Sequence, residues 1–187
     1  MTSSNSLSGS RPIAGREVRE VSSTRTWTQT IFQYVVAFGL AALSYFFISR
    51  FILQSVKVVG TSMTPTLQDS QHYLLNRWIY HVRSPHRAEI VVLRDPLDNG
   101  YSVKRVVAGA GDSIYIRGGH VFVNGHQLQE PYLSANTPTY TYTHYRDELI
   151  VCGRNQYFVL GDNRKNSVDS RSYGPIPLKN ILGMLVH

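Results

Sequence analysis

Residues 31–49 run for 19 positions without a charged side chain, and no other feature limits the fold of this chain as sharply. A helix needs roughly 20 apolar residues to cross the hydrocarbon core of a bilayer. Trp27 stands just before the run and Tyr45 to Phe47 lie near its far end, where aromatic rings favour the membrane interface. A cleavable leader is the alternative, but its apolar segment is usually only about 7–15 residues, and no Ala-x-Ala follows here. The expected organisation is therefore a disordered tail over 1–26, rich in Ser, Thr and Arg, a transmembrane anchor over 27–50, and one further domain over 51–187. Arg11, Arg16, Arg19 and Arg25 precede the span, whereas Arg50 and Lys57 follow it. That balance places the amino terminus on the cytoplasmic side and the domain across the membrane.

Beyond the span the pattern changes to short apolar runs divided by Gly, Pro, Asn and Asp. It predicts strands over 55–59, 72–76, 89–93, 103–108, 113–117, 121–123, 156–160 and 181–186. Asn124-Gly125 stands where a tight hairpin needs two positive φ angles. Nothing repeats at a fixed period, and residues 134–147 read as a surface loop. The fold class is mainly β, with antiparallel sheets folded into a barrel-like domain.

Charge and composition narrow the functions. The net charge of +7 suits an anionic lipid surface. No basic cluster interleaved with exposed aromatics suggests nucleic acid. The seven histidines have no metal-binding spacing, and Gly109-Ala110-Gly111-Asp112 lacks the Lys-Ser/Thr of a phosphate loop. No metal and no cofactor are expected. His120 and His126 flank the hairpin turn and are possible spatial neighbours. A single cysteine, Cys152, excludes an intrachain disulfide.

Two residues point to chemistry. Ser62 sits in Gly60-Thr61-Ser62-Met63-Thr64-Pro65, just after a strand, and Lys104 lies inside the apolar strand Val103 to Ala108. A serine hydroxyl needs a base to become a nucleophile. An ordinary lysine is neutral at pH 7 in only about one molecule in 2,500, but burial penalises its charged form and lowers the pKa. Arg105 would add to that shift unless strand alternation aims its charge elsewhere. A third segment, Gly161-Asp162-Asn163-Arg164-Lys165-Asn166-Ser167-Val168-Asp169-Ser170-Arg171, is far more polar than a turn requires. It reads as a hydrogen-bonded platform in which Asp169 and Arg171 pair and Ser167 orients a neighbour.

In that order, behind a membrane span, these segments resemble the type I signal peptidases, membrane-bound serine proteases that remove signal peptides from exported preproteins. Residues 87–93, 120–125 and 130–133 are similar to further segments of that family. The resemblance implies Ser62 as nucleophile, Lys104 as general base, Ser167 as the group that holds the lysine amine, and Asp169 and Arg171 as braces. It also implies that Met63, Val58 and Val103 line small pockets for Ala-like residues, and that the domain faces outward from a plasma membrane or, alternatively, a thylakoid membrane. The chain departs from the family's pattern at Ala88-Glu89, often Gly-Asp, and at Ala110, usually proline. Gly60 stands where some members have a Ser or Thr hydroxyl that helps stabilise the oxyanion; here it is expected to be needed for its backbone. A self-cleaving repressor-type Ser/Lys protease and a non-enzymatic membrane-anchored β scaffold are the alternatives.

Overall fold

The computed structural model describes residues 24–49, 53–135, 137–141 and 148–186. Most of the expected tail, residues 1–23, and Arg50 lie outside them. So do residues 136 and 142–147 of the expected loop; its described part has neither helix nor strand.

The apolar run forms the helix α1, Thr24–Phe47, closing in a wide turn at 48–49. It therefore begins inside the segment expected to be tail. Thr26–Phe47 spans 22 residues at a mean hydropathy of 1.6, long and apolar enough to cross a membrane. At 1.5 Å per residue it extends about 33 Å. Its side chains from Thr26 onward are exposed all round, so the helix is no part of a protein core among the described residues.

The second unit is built of antiparallel strands: β1 (Leu53–Lys57), β2 (His72–Asn76), β3 (Ile90–Arg94), β4 (Tyr101–Ala108), β5 (Ser113–Arg117), β6 (His120–Val123), β7 (His126–Gln127), β8 (Ile150–Val151), β9 (Gln156–Leu160), β10 (Ile176–Pro177) and β11 (Ile181–Val186). One-turn helices α2 (Ile79–Val82) and α3 (Ser170–Tyr173) fill two connections. The larger sheet has the order β1-β2-β11-β3-β4-β9-β10, the smaller β7-β6-β5-β8. Every pairing is antiparallel, and the register shifts where β11 meets β3 and where β4 meets β9. Such irregularities bend strands and curl a sheet. The sheet is open, with β1 and β10 at its edges.

All eight expected strands are present, shifted by a residue or two at some ends. The continuous apolar run of β3 has its reason here. Ile90 and Val92 pack on one face with Val58, Met63, Leu67, Leu75 and Leu185, while Val91 and Leu93 pack on the other with Val106, Val159 and Ile176. A strand buried on both faces carries no polar alternation. A third cluster, including Val107, Ile114, Val121 and Phe158, joins β4 and β9 to the smaller sheet. Asn124 and Gly125 have φ of 52° and 80°, as the hairpin signal required. That turn pairs His126 with Val123, and His120 meets Gln127 across the strands rather than His126.

Candidate active site

Ser62 belongs to a turn wedged over the larger sheet. After β1 the chain reverses at Gly60, whose φ of +106° is open to glycine and strained for other residues. The Gly60 N–H donates to Asp69 Oδ1 at 2.7 Å, and the Thr64 N–H and hydroxyl both donate to the Thr61 carbonyl, at 3.2 and 2.9 Å. Met63 and Leu67, each 1% exposed, plug the turn into the core. Among the described residues the Ser62 N–H makes no hydrogen bond, so it is available as a donor.

Lys104 reaches the same place from β4. It pairs with Val91 on β3 and is 4% exposed. Its Nζ donates to Ser62 Oγ at 3.4 Å and to the Val103 carbonyl at 3.2 Å. Burial holds its pKa below the ordinary 10.5, reinforced by the charge of Arg171 and opposed by Asp169 and Asp95. Arg105, expected to add to this shift, does not contribute. Its guanidinium chelates Asp162 at 2.9 and 2.6 Å and lies 3.9 Å from the centre of the Tyr132 ring.

The polar segment after β9 locks the turn of Ser62 and the strand of Lys104 together. Asp162 receives Thr66 Oγ1 at 2.5 Å as well as Arg105, so one carboxylate ties the serine turn to the lysine strand. Asn163 holds the turn itself. Its N–H donates to the Ser62 carbonyl at 2.9 Å, and its Nδ2 donates to the Thr61 carbonyl at 3.1 Å and to Thr64 Oγ1 at 3.0 Å. Gly161 makes the approach possible: a Cβ there would fall 2.2 Å from Ser167 Oγ and 2.6 Å from the Ser62 carbonyl oxygen. Ser167, 3% exposed, is thereby brought beside Ser62. Asp169 pairs with Arg171 through Oδ1–Nε at 2.7 Å and Oδ2–Nη2 at 2.8 Å, caps α3 through the Arg171 N–H, and accepts the Gly161 N–H at 3.0 Å. Arg164, paired with Glu130, donates to the Gly161 carbonyl at 3.0 Å. The pairing of Asp169 with Arg171 is the one expected from the sequence; Gly161, Asp162, Asn163 and Arg164 were signalled only as surplus polarity, and their ties depend on which strands lie side by side.

Next to Ser62 a groove of about 510 Å³ runs along the sheet. Val58 and Val103 line it, together with Val56, Leu75, Val92 and Leu182. Met63 packs in the core directly beneath these residues. Gln54, Arg77 and Tyr101 line the groove as well, and nothing in the sequence marked them.

Gly60 has open space where a Cβ would be, so an added side chain meets no atom and the conflict is with the backbone. Gly60→Ser is expected to lower stability by about 1–2 kcal/mol, the cost of a left-handed conformation for an L-residue. Activity falls with it. Melting temperature and kcat measured together decide the matter; a faster variant of unchanged stability would show that the hydroxyl compensates for an incomplete oxyanion site.

A serine held against a buried amine, with an N–H free beside it and an apolar groove alongside, can perform acyl transfer. The sequence matches the model of the family "Signal peptidase, peptidase S26" over residues 31–187. It is similar to signal peptidase I V of Bacillus subtilis, 36% identical over 69% of this chain and 81% of that protein. It is also similar to probable signal peptidase I-2 of Synechocystis, 35% identical over 73% of this chain and 62% of that one. The crystal structure of a signal peptidase I from Enterococcus faecalis aligns with 56% of this chain and 99% of its own at 25% identity, with a TM-score of 0.47. The chain belongs to the signal peptidase family, peptidase S26.

Proposed function

We propose that this peptidase removes signal peptides from exported preproteins with a Ser62–Lys104 dyad. The 3.4 Å approach of a buried lysine amine to the serine hydroxyl carries the reading. Neutral Lys104 takes the Ser62 proton as Oγ attacks the scissile carbonyl, and the Ser62 N–H stabilises the oxyanion. The lysine then gives that proton to the leaving amine as the C–N bond breaks. Water, deprotonated by Lys104, hydrolyses the ester and restores Ser62. Ser167 orients the amine, while Asp169 and Arg171 fix the loop that carries Ser167. Val58 and Val103 narrow the groove beside Ser62, which suits small residues at −1 and −3.

The domain assignment belongs to the same proposal: a tail over 1–26, whose last three residues already belong to α1, an anchor over 27–50 in the plasma membrane or a thylakoid membrane, and a catalytic domain over 51–187 on the far side. The anchor holds the domain at the lipid surface from which its substrates emerge. Membership of a peptidase family sets aside the scaffold and repressor alternatives. The test is cleavage of a preprotein in detergent, with the new amino terminus read by mass spectrometry. Cleavage after Ala-x-Ala, lost when the −1 Ala becomes Leu, is expected; an intact preprotein would sink the proposal.

The lysine's environment fixes the pH dependence. Because Lys104 acts unprotonated and its pKa lies below 10.5, kcat/KM rises with pH through an ionisation below that value. Stability has the same sign. Between the folded and unfolded pKa values the unfolded chain binds more protons, so stability also rises with pH there. A flat kcat/KM profile from about pH 6 to 10 would contradict a lysine base.

A further inference from the structure

The groove has two ends of different chemistry. Gln54, Val56 and Lys57 of the first strand line it, followed by Val58 and Val59. From Val58, near Ser62, to Gln54 is four residues, about 13 Å. The register then marks the far end. Gln54 pairs with Leu75 and Leu53 with Asn76, so Arg77 projects from beyond the first residue of β1, on the same side of β2 as Leu75. Tyr101 opens β4, three residues before Lys104, about 10 Å in the same direction. Arg77 is exposed, and among the described residues its side chain makes no hydrogen bond or ion pair. Its setting differs from that of Arg105, Arg164 and Arg171, each buried against a carboxylate.

At the end of a groove whose middle is walled by Val56, Leu75, Val92 and Leu182, an occupant can offer this guanidinium an anionic or carbonyl partner in place of water. Granted the function proposed above, the groove holds three or four extended residues before the scissile bond. Preceding them is an apolar segment of about 7–15 residues. In apolar surroundings that segment satisfies its backbone only as a helix. A helix ends in four carbonyls without partners and a partial negative charge.

We infer that Arg77, framed by Gln54 and Tyr101, forms a subsite that caps the carboxyl-terminal carbonyls of the substrate's apolar helix. The site recognises the point where helix gives way to extended chain, and so measures the distance from helix end to scissile bond. Arg77 is a substrate-positioning residue in this account, remote from the reacting atoms.

The test uses the full-length enzyme in neutral detergent without lipid, so that phospholipid headgroups play no part. Two peptides share one Ala-x-Ala site and one apolar sequence. One is all-L; the other alternates L and D residues in the apolar segment and cannot form the helix. Wild type prefers the all-L peptide in kcat/KM. Arg77→Glu is expected to reduce that preference about three- to tenfold, in the range of a charge at a helix terminus, mainly through KM, and Arg77→Lys to restore most of it. An unchanged preference in Arg77→Glu overturns the inference, whatever the absolute rates. So does loss of rate on both peptides by one common factor, which would make Arg77 a general element of the groove. Failure of wild type to cut either peptide at the site would instead refute the function proposed above, and the inference with it.

Discussion

Ser62→Ala and Lys104→Met are each expected to abolish cleavage, lowering kcat by roughly 10⁴- to 10⁶-fold, with the fold intact. Groups that act as one unit lose nearly the whole rate enhancement when either is removed, and a hydroxyl and an amine 3.4 Å apart form such a unit. Both substitutions suit their sites. Ser62→Ala removes one atom at a half-buried position, and Lys104→Met keeps an apolar stem in a position that is 4% exposed. Removing an amine that burial disfavours costs the fold little. Single-turnover cleavage, far-UV circular dichroism and melting temperature measured on the same preparations separate loss of chemistry from loss of structure. Cleavage by either variant at more than about a hundredth of the wild-type rate, with the fold retained, would exclude the dyad.

The second large effect belongs to Asp169. Its carboxylate is fully buried and holds Arg171, the first turn of α3 and the Gly161 N–H at once. Asp169→Ala leaves a guanidinium that is 2% exposed without its anion, and removing one partner of a buried pair costs about 3–5 kcal/mol. A fall in melting temperature of roughly 10 °C or more follows for a domain of this size. Activity should fall as well, because Gly161 and Ser167 lose their anchor beside the nucleophile. The remaining activity carries a second signature. Asp169 favours the charged form of Lys104 while Arg171 disfavours it, so the variant's lysine ionises at lower pH and its rate profile moves the same way. A variant that melts like wild type would show that the pair bears little of the domain's stability.

These expectations show what the sequence could carry. The strands were readable because their apolar periods are closed by turn residues whose φ is fixed, as at Asn124-Gly125. The helix was readable because 19 uncharged residues have few other uses. The two-residue strands β7, β8 and β10 were too short to show a period. Ser62 and Lys104 stood out because each contradicts its surroundings, a hydroxyl in a strained turn and a charge in an apolar strand. What the sequence hid was juxtaposition. The alternation that marks one face of a strand does not say whether that face meets a groove or a core. It also does not reveal that Asp162 will take the charge of Arg105. Arg77 is one exposed arginine among many until the pairing of β1 with β2 sets it at the end of the groove.

The position of β11 has a consequence for how the enzyme comes into being. The first two strands, with the serine turn between them, are hydrogen-bonded into the sheet that carries the lysine through β11, which lies between β2 and β3. The ties from Asp162 and Asn163 to the serine turn also come from residues made after Lys104. Contacts such as Leu75 with Leu185 close loops of more than a hundred residues, the slow, non-local kind of folding event. The strand that hydrogen-bonds the two halves of the sheet is made after both Ser62 and Lys104. The full set of ties that holds these two side chains together is thus a late act of folding.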